Sequence, residues 1–189
     1  AGAELRGGGD PVEAVRAALE RSRAPHRVAA VGRLREVPAI LASAREDVVF
    51  NLVESFHDHP AHAALVPALC AAYEKGCTGC DDACQALALD KWQCKLRLQS
   101  AGLPTPPCTV VRPGERLDAT ALPKGKLIVK PACSDASEGV DADSIVDGPG
   151  AALEAVVQRV HRDFRQPALI EQFFGSREIN ISLVQFRSE

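Results

Sequence analysis

Leu127-Ile-Val-Lys-Pro131 and, further along the chain, Leu169-Ile-Glu-Gln-Phe-Phe174 decide how this sequence is read. Residues 127–129 form a short apolar run with two β-branched side chains, bounded by Gly125 and Pro131, the pattern of a buried strand. Lys130 stands at the strand's exit, where an ammonium is costly unless it meets water or an anion. The next residues, Ala132-Cys-Ser-Asp-Ala-Ser-Glu-Gly139, are mostly small and polar. Such a loop can bring backbone N–H groups close to a phosphate. Alone, a Lys-Pro step after a strand is more often an ordinary surface turn. The second run changes the balance, because it is again apolar and leads to an acid, Glu178.

Around these two runs the pattern is regular. Residues 108–111 read as a strand and Pro113-Gly114 as a turn. Leu153, Val156, Val157, Val160 and Phe164 recur at helical spacing. Residues 178–183 alternate polar and apolar, the mark of a half-buried strand. Upstream, Leu89, Trp92 and Leu96 mark the inner stripe of a helix that ends at Gly102, and Pro104-Thr-Pro-Pro107 is an extended linker. The linker is the expected junction between an N-terminal domain, residues 1–103, and a second one, residues 104–178. Residues 179–189 then begin a further subdomain.

The N-terminal part alternates helix and strand. Asp10-Pro-Val-Glu13 is a helix start with an N-cap and a proline at the first helical position. Residues 27–31 and 47–52 read as strands, with a helix over 38–44 between them. That alternation predicts a parallel sheet with helices packed on it. Pro60 opens a helix with Leu65, Val66, Leu69 and Tyr73 on its inner face, stopped at Lys75-Gly76. Asp81 caps another through Leu87. Glu54-Ser55 follows a strand at its carboxyl end, where open α/β sheets place ligands.

Composition narrows the function classes. The chain has 189 residues, 46% hydrophobic and 25% charged, an ordinary soluble balance with room for a sizeable core. A net charge of −3 and scattered arginines argue against a nucleic-acid binder. The most apolar stretch, residues 61–73, is short and holds Pro67, so no membrane span is expected. Without a signal-like N-terminus, a cytoplasmic protein is expected. The sequence holds no methionine, and both ends read as cut.

Two clusters resemble metal sites. Cys77-x2-Cys80-x3-Cys84 has thiolate spacing suited to zinc or an iron–sulfur cluster. No second pair follows at a finger-like interval, so these are read as buried thiols that pack like small hydrophobes. His57-x-His59-x2-His62 lies in a turn entering a helix and is read as surface histidines.

A third constellation runs through most of the chain. Phe50-Asn-Leu-Val-Glu-Ser55, Thr78-Gly79, Ala86-Leu-Ala-Leu-Asp-Lys91, Ala101-Gly-Leu-Pro-Thr-Pro106, Ile128-Val-Lys-Pro131 and Ile170-Glu171 through Glu178 occur in one order. Each piece is weak; the ordered set resembles the D-alanine–D-alanine ligase-like branch of the ATP-grasp enzymes. The resemblance implies an α/β chain. A parallel-sheet, Rossmann-like domain precedes the small α+β subdomain that clasps a nucleotide. It implies ATP and Mg2+, and an activity joining a carboxylate to an amine through an acylphosphate. Such enzymes supply peptidoglycan building blocks, take small amino acids as substrates, and admit a homodimer.

Residue by residue, the resemblance implies that Lys91 contacts ATP and that Lys130 holds the α- and β-phosphates. The loop around Ala136, Ser137 and Gly139 closes over the phosphates. Glu171, Gln172, Phe173 and Phe174 form the linker against which adenine lies. Glu178 holds the ribose hydroxyls. Lysine is a point charge suited to phosphate, and an ionised carboxylate accepts both ribose O–H groups.

The chain departs from true D-alanine–D-alanine ligases on the substrate side, where Glu54-Ser55 stands in place of a His-Gly pair. Glu54 and Ser55 are therefore the candidate substrate residues, and no catalytic residue is named. The family's magnesium ligands would lie beyond Glu189, so none is assigned within the chain. Two other readings stay open: a nucleotide-binding remnant without turnover, and a ligase for other amino acids.

Overall fold

The computed structural model describes residues 10–56, 60–134 and 138–175, with 179 and 181. The chain forms two compact units that divide between Leu89 and Asp90. Among the described residues no helix is long and apolar enough to cross a membrane.

The first unit opens with helix α1, Pro11–Arg21. Its N-cap forms as read: the Val12 N–H donates to Asp10 Oδ1 at 2.9 Å. None of its residues is buried. A 3-10 turn, Leu34–Glu36, leads into α2, Val37–Ser43. Strand β1, Val48–Val49, pairs in parallel with β2, Gly76–Cys77, in the register Val48 to Gly76 and Val49 to Cys77. Helix α3, Val66–Ala72, lies between them in sequence, and α4, Asp82–Leu89, comes after β2. A parallel pair joined through a helix is the expected arrangement.

Details differ from the sequence reading. Residues 27–31 form no strand; an apolar run specifies a strand only when a neighbour takes up its backbone groups. Beyond Val49, residues 50–52 are not strand either. The helix expected to stop at Lys75-Gly76 ends at Ala72, and Gly76-Cys77 is a strand. In α3, Val66, Pro67 and Cys70 are buried, whereas Leu65 and Tyr73, which flank it, are exposed. The unit's core gathers Val37, Leu41, Ala63, Val66 and Cys70 around Phe56, which is 1% exposed.

The second unit contains α5, Lys91–Ser100, and strands β3, Cys108–Val111, and β4, Leu127–Pro131. Strand β5, Ile145–Val146, helix α6, Ala151–Phe164, and strand β6, Ala168–Gln172, follow among the described residues. The four strands run β3-β6-β4-β5. Every pairing is antiparallel, with Val129 opposite Ile170 and Thr109 opposite Ile170. Strand β5 was not legible in the sequence, being two residues long.

Alternation along the strands sorts their side chains onto two faces. Val111, Leu127, Val129, Ala168 and Ile170 pack with Leu153, Val156, Val157 and Val160 of α6 in one core. Burying each of these larger side chains is worth about 1.5–3 kcal/mol. Ile128, Lys130, Leu169 and Glu171 fall on the opposite face by the same alternation. Helix α5 docks with this unit: the Lys91 N–H donates to Ala132 O at 3.0 Å. The helix ahead of the Pro104 linker thus belongs with the strands beyond the linker. The strand read over residues 178–183 lies outside the described residues.

Candidate functional site

The second unit gathers its charged side chains where β4 and β6 lie beside α5. Lys130 is the fourth residue of β4, after three buried apolar residues. Its Nζ donates to Glu171 Oε1 at 3.2 Å. Glu171 is the fourth residue of β6. Its other oxygen, Oε2, lies 2.9 Å from Lys95 Nζ. Lys95 also donates to Pro106 O at 2.9 Å. One carboxylate therefore sits between two ammoniums, and the trio carries a net positive charge.

The members differ in exposure. The side chains of Lys95 and Glu171 are 10% and 12% exposed, against 26% for Lys130. Lys130 is thus the member that meets solvent. Cys108, opposite Glu171 in the register, feels the same charges. Burial pushes its thiol up, Lys95 opposes that and Glu171 adds to it.

Lys91 lies one helical turn before Lys95 on α5. Its ammonium donates to Pro131 O at 3.1 Å, to Ser134 Oγ at 3.3 Å, and to Ser134 O. With its backbone bond to Ala132, it grips the start of the loop after β4. Asp90 caps the helix, accepting from the Gln93 N–H at 3.0 Å. Cys133 sits in the same loop; burial raises its thiol, with Asp90 adding to the effect.

The loop's other foot is packed closely. Gly139 has φ +73°, and a Cβ there would lie 2.6 Å from Pro131 Cγ and 2.7 Å from Phe164 Cζ. Glycine is required by backbone conformation and by space alike. Next to it, Arg159 donates to both oxygens of Asp141 at 3.0 Å, and to Ser144 Oγ at 3.0 Å. The bonds Asp141 accepts from Arg159, and then from the Ser144 hydroxyl at 3.0 Å, hold its carboxyl below its ordinary range.

The segment expected to carry adenine continues β6. The Gln172 N–H donates to Pro107 O at 2.9 Å and the Phe173 N–H to Lys126 O at 2.8 Å. Phe174 is 67% exposed. Glu54 and Ser55 belong to the first unit, exposed just ahead of buried Phe56. Ala136, Ser137 and Glu178 lie outside the described residues.

Lys91, Lys130, Gly139 and Glu171 are thus brought into one unit, at β4, the two ends of its loop, and β6. Lys95 was missed. The apolar stripe on α5 drew attention to Leu96, which is 40% exposed, while Lys95 is the buried residue of that helix. The usable signal was the spacing Lys91 to Lys95, which puts both ammoniums on one helix face. The cysteine reading also needs correction: Cys80 and Cys84 are exposed and Cys77 is partly buried, so only Cys70 packs as a fully buried thiol.

Comparison with known proteins bears on this geometry. No protein-family model matches the chain. The D-alanine–D-alanine ligase of Laribacter hongkongensis is 33% identical over 112 residues, 59% of this chain and 35% of that protein. D-alanine–D-alanine ligase B of Chromobacterium violaceum is 31% identical over 140 residues, 73% of this chain and 43% of that protein. The chain therefore spans less than half the length of these relatives. The crystal structure of the Bacillus anthracis D-alanine–D-alanine ligase superposes with a TM-score of 0.57 at 16% identity, over 75% of this chain and 44% of that one. In sequence and in fold, over the portion it spans, this chain is a relative of the D-alanine–D-alanine ligase-like branch of the ATP-grasp proteins.

Proposed function

We propose that the chain carries the nucleotide-clasping part of an ATP-dependent ligase that joins an amino-acid carboxylate to an amine. One observation carries the reading: Lys95, Glu171 and Lys130 leave a net positive charge on the sheet, and its solvent-facing member is Lys130. An ammonium so placed attracts phosphate oxygens, and the loop from Ala132 to Gly139 begins one residue after Pro131. The exposed ring of Phe174 offers apolar surface for a purine. Glu54 and Ser55 would meet the amino-acid substrates, and Glu178 the ribose.

The chain's own contribution is positioning and charge. Lys130 would hold ATP's phosphates while Lys91 keeps the loop's start in place. Magnesium would neutralise the phosphates further. Among the described residues no three His, Cys, Asp or Glu side chains gather to hold a metal ion. The parent protein, a cytoplasmic ligase and in this reading a homodimer, would supply carboxylate ligands from outside this chain.

A covalent test suits even weak binding. ATP bearing a reactive acyl group on its terminal phosphate should acylate Lys130 or Lys91, and excess ATP should compete. Lys130→Ala should weaken ATP binding by about 1.5–3 kcal/mol, the worth of a charge-assisted hydrogen bond. Labelling spread evenly over surface lysines such as Lys124, with no competition by ATP, refutes the reading.

A further inference from the structure

Lys95 is an unexpected residue to find enclosed. A lysine is rarely buried unless its ammonium is paired, because losing water is costly. Here two acceptors share it, the Pro106 carbonyl at 2.9 Å and Glu171 Oε2 at 2.9 Å. Those acceptors lie on different segments, one in the proline linker and one on β6. Lys95 therefore ties helix, linker and sheet at one point, and it decides which oxygen of Glu171 remains for Lys130.

That arrangement has an electrostatic result. A lone lysine–glutamate pair is neutral, and the carboxylate competes with any anion for the ammonium. With Lys95 on Oε2, the carboxylate's charge is divided between two ammoniums, and its hold on Lys130 is weakened. The groups facing the carboxylate are Lys95 from α5, Lys130 from β4 and Cys108 from β3.

We propose that Lys95 is a positioning residue: by fixing one oxygen of Glu171 against α5 and the Pro106 carbonyl, it keeps Lys130 loosely held and available to an anion. The proposal rests on the nucleotide reading for the identity of that anion, but its effect on Lys130 exists without any ligand.

The experiment maps lysine acylation on the whole chain by mass spectrometry, with an amine-directed reagent at fixed pH and no nucleotide. Only the unprotonated amine reacts. Lys95→Met hands the whole carboxylate charge to Lys130, so acylation of Lys130 should slow by about threefold or more. Lys124 and Lys126 should label at unchanged rates. Lys95→Arg, which keeps a cation on Glu171, should restore the Lys130 rate. If Lys95→Met fails to fold, as uniform fast labelling would show, Lys95→Gln serves instead. Its amide can still donate to Pro106 but carries no charge, and the same slowing is expected. An unchanged Lys130 rate in the folded neutral variant overturns the proposal, as does failure of arginine to restore it. A parallel measurement with ATP added separates the two ideas. Slowing in the variant without protection of wild-type Lys130 by ATP leaves Lys95 a positioning residue and defeats the nucleotide reading.

Discussion

Both units contain a sheet, but only the second wraps one face of it completely. There, side chains from all four strands meet α6 in a core whose members are each no more than 8% exposed. In the first unit the paired strands are two residues long. Val49 packs against the core, while Val48 and Phe50 are 60% and 52% exposed. Helix α1 has the composition to cover such a face, yet it buries none of its residues. The lesson concerns how stability is shared. A sheet covered by a four-turn helix spreads its burial over many side chains. A short parallel pair leaves the task to a few, and here to Phe56 above all.

The largest expected effect tests that concentration. Phe56→Ala should cost the first unit about 3–5 kcal/mol, the usual loss for a buried aromatic. Hydrogen exchange should show α2 and α3 amides losing protection while α6 amides keep theirs. A loss below about 1 kcal/mol would mean the first unit is not organised around this ring. In the second unit, Gly139→Ala should cost about 2–4 kcal/mol, from left-handed backbone strain plus overpacking against Pro131 and Phe164. Chemical denaturation measures it, and a neutral result would show that the loop's foot gives way easily.

The units should also differ in their response to pH. Burial, then the neighbouring Cys70, pushes the Cys77 thiol in the first unit up to about 12. A raised value favours the folded state below the ordinary thiol range, and that contribution is lost as pH rises through about 12. Cys77→Ala should therefore flatten the alkaline limb of the first unit's stability. Asp141 in the second unit works in the opposite sense, since Arg159 and Ser144 lower its value. Its contribution is present above the ordinary carboxylate range and lost as pH falls below about 4. Asp141→Asn should flatten the acid limb, read by thermal melts across pH.

The smallest expected effect sharpens the comparison most. Val48→Thr and Phe50→Ser should each change stability by no more than about 0.5 kcal/mol, as for exposed positions in general. Urea titration that finds a loss above about 1 kcal/mol would show that this face is covered in solution.

How much was legible obeys the same division. Leu153, Val156, Val157 and Val160 lie on one face because one face is buried, so their 3.6-residue period was plain in the sequence. Leu127 to Val129 read as a strand because its neighbours bury it on both sides. In the first unit, Gly76-Cys77 gave no signal: a two-residue parallel strand is defined by its partner and has no pattern of its own. At the site, Glu171 entered only through the family resemblance, whereas Lys130 stood out as a charge following an apolar run. Lys95 did not, because a buried lysine is specified by its acceptors, Pro106 and Glu171, which are distant in sequence. The apolar residues of α5 misdirected the reading for the same reason, since that helix buries a charge and exposes Leu96.

The strand order β3-β6-β4-β5 carries a consequence for biogenesis. Strand β6 is the last of the four to be synthesised, yet it is the one that joins β3 to β4. While a ribosome is still adding residues before Ala168, β3 has no partner and β4 has only the two-residue β5. The nascent unit therefore waits, with two strand edges bare, until Gln172 has emerged. Closing the gap joins segments far apart in sequence, which makes it a slow, late event. A stalled or nicked chain ending between Val160 and Ala168 would hold eight of the ten side chains of the core and lack the strand that unites them. Such a product should be a substrate for chaperones and proteases.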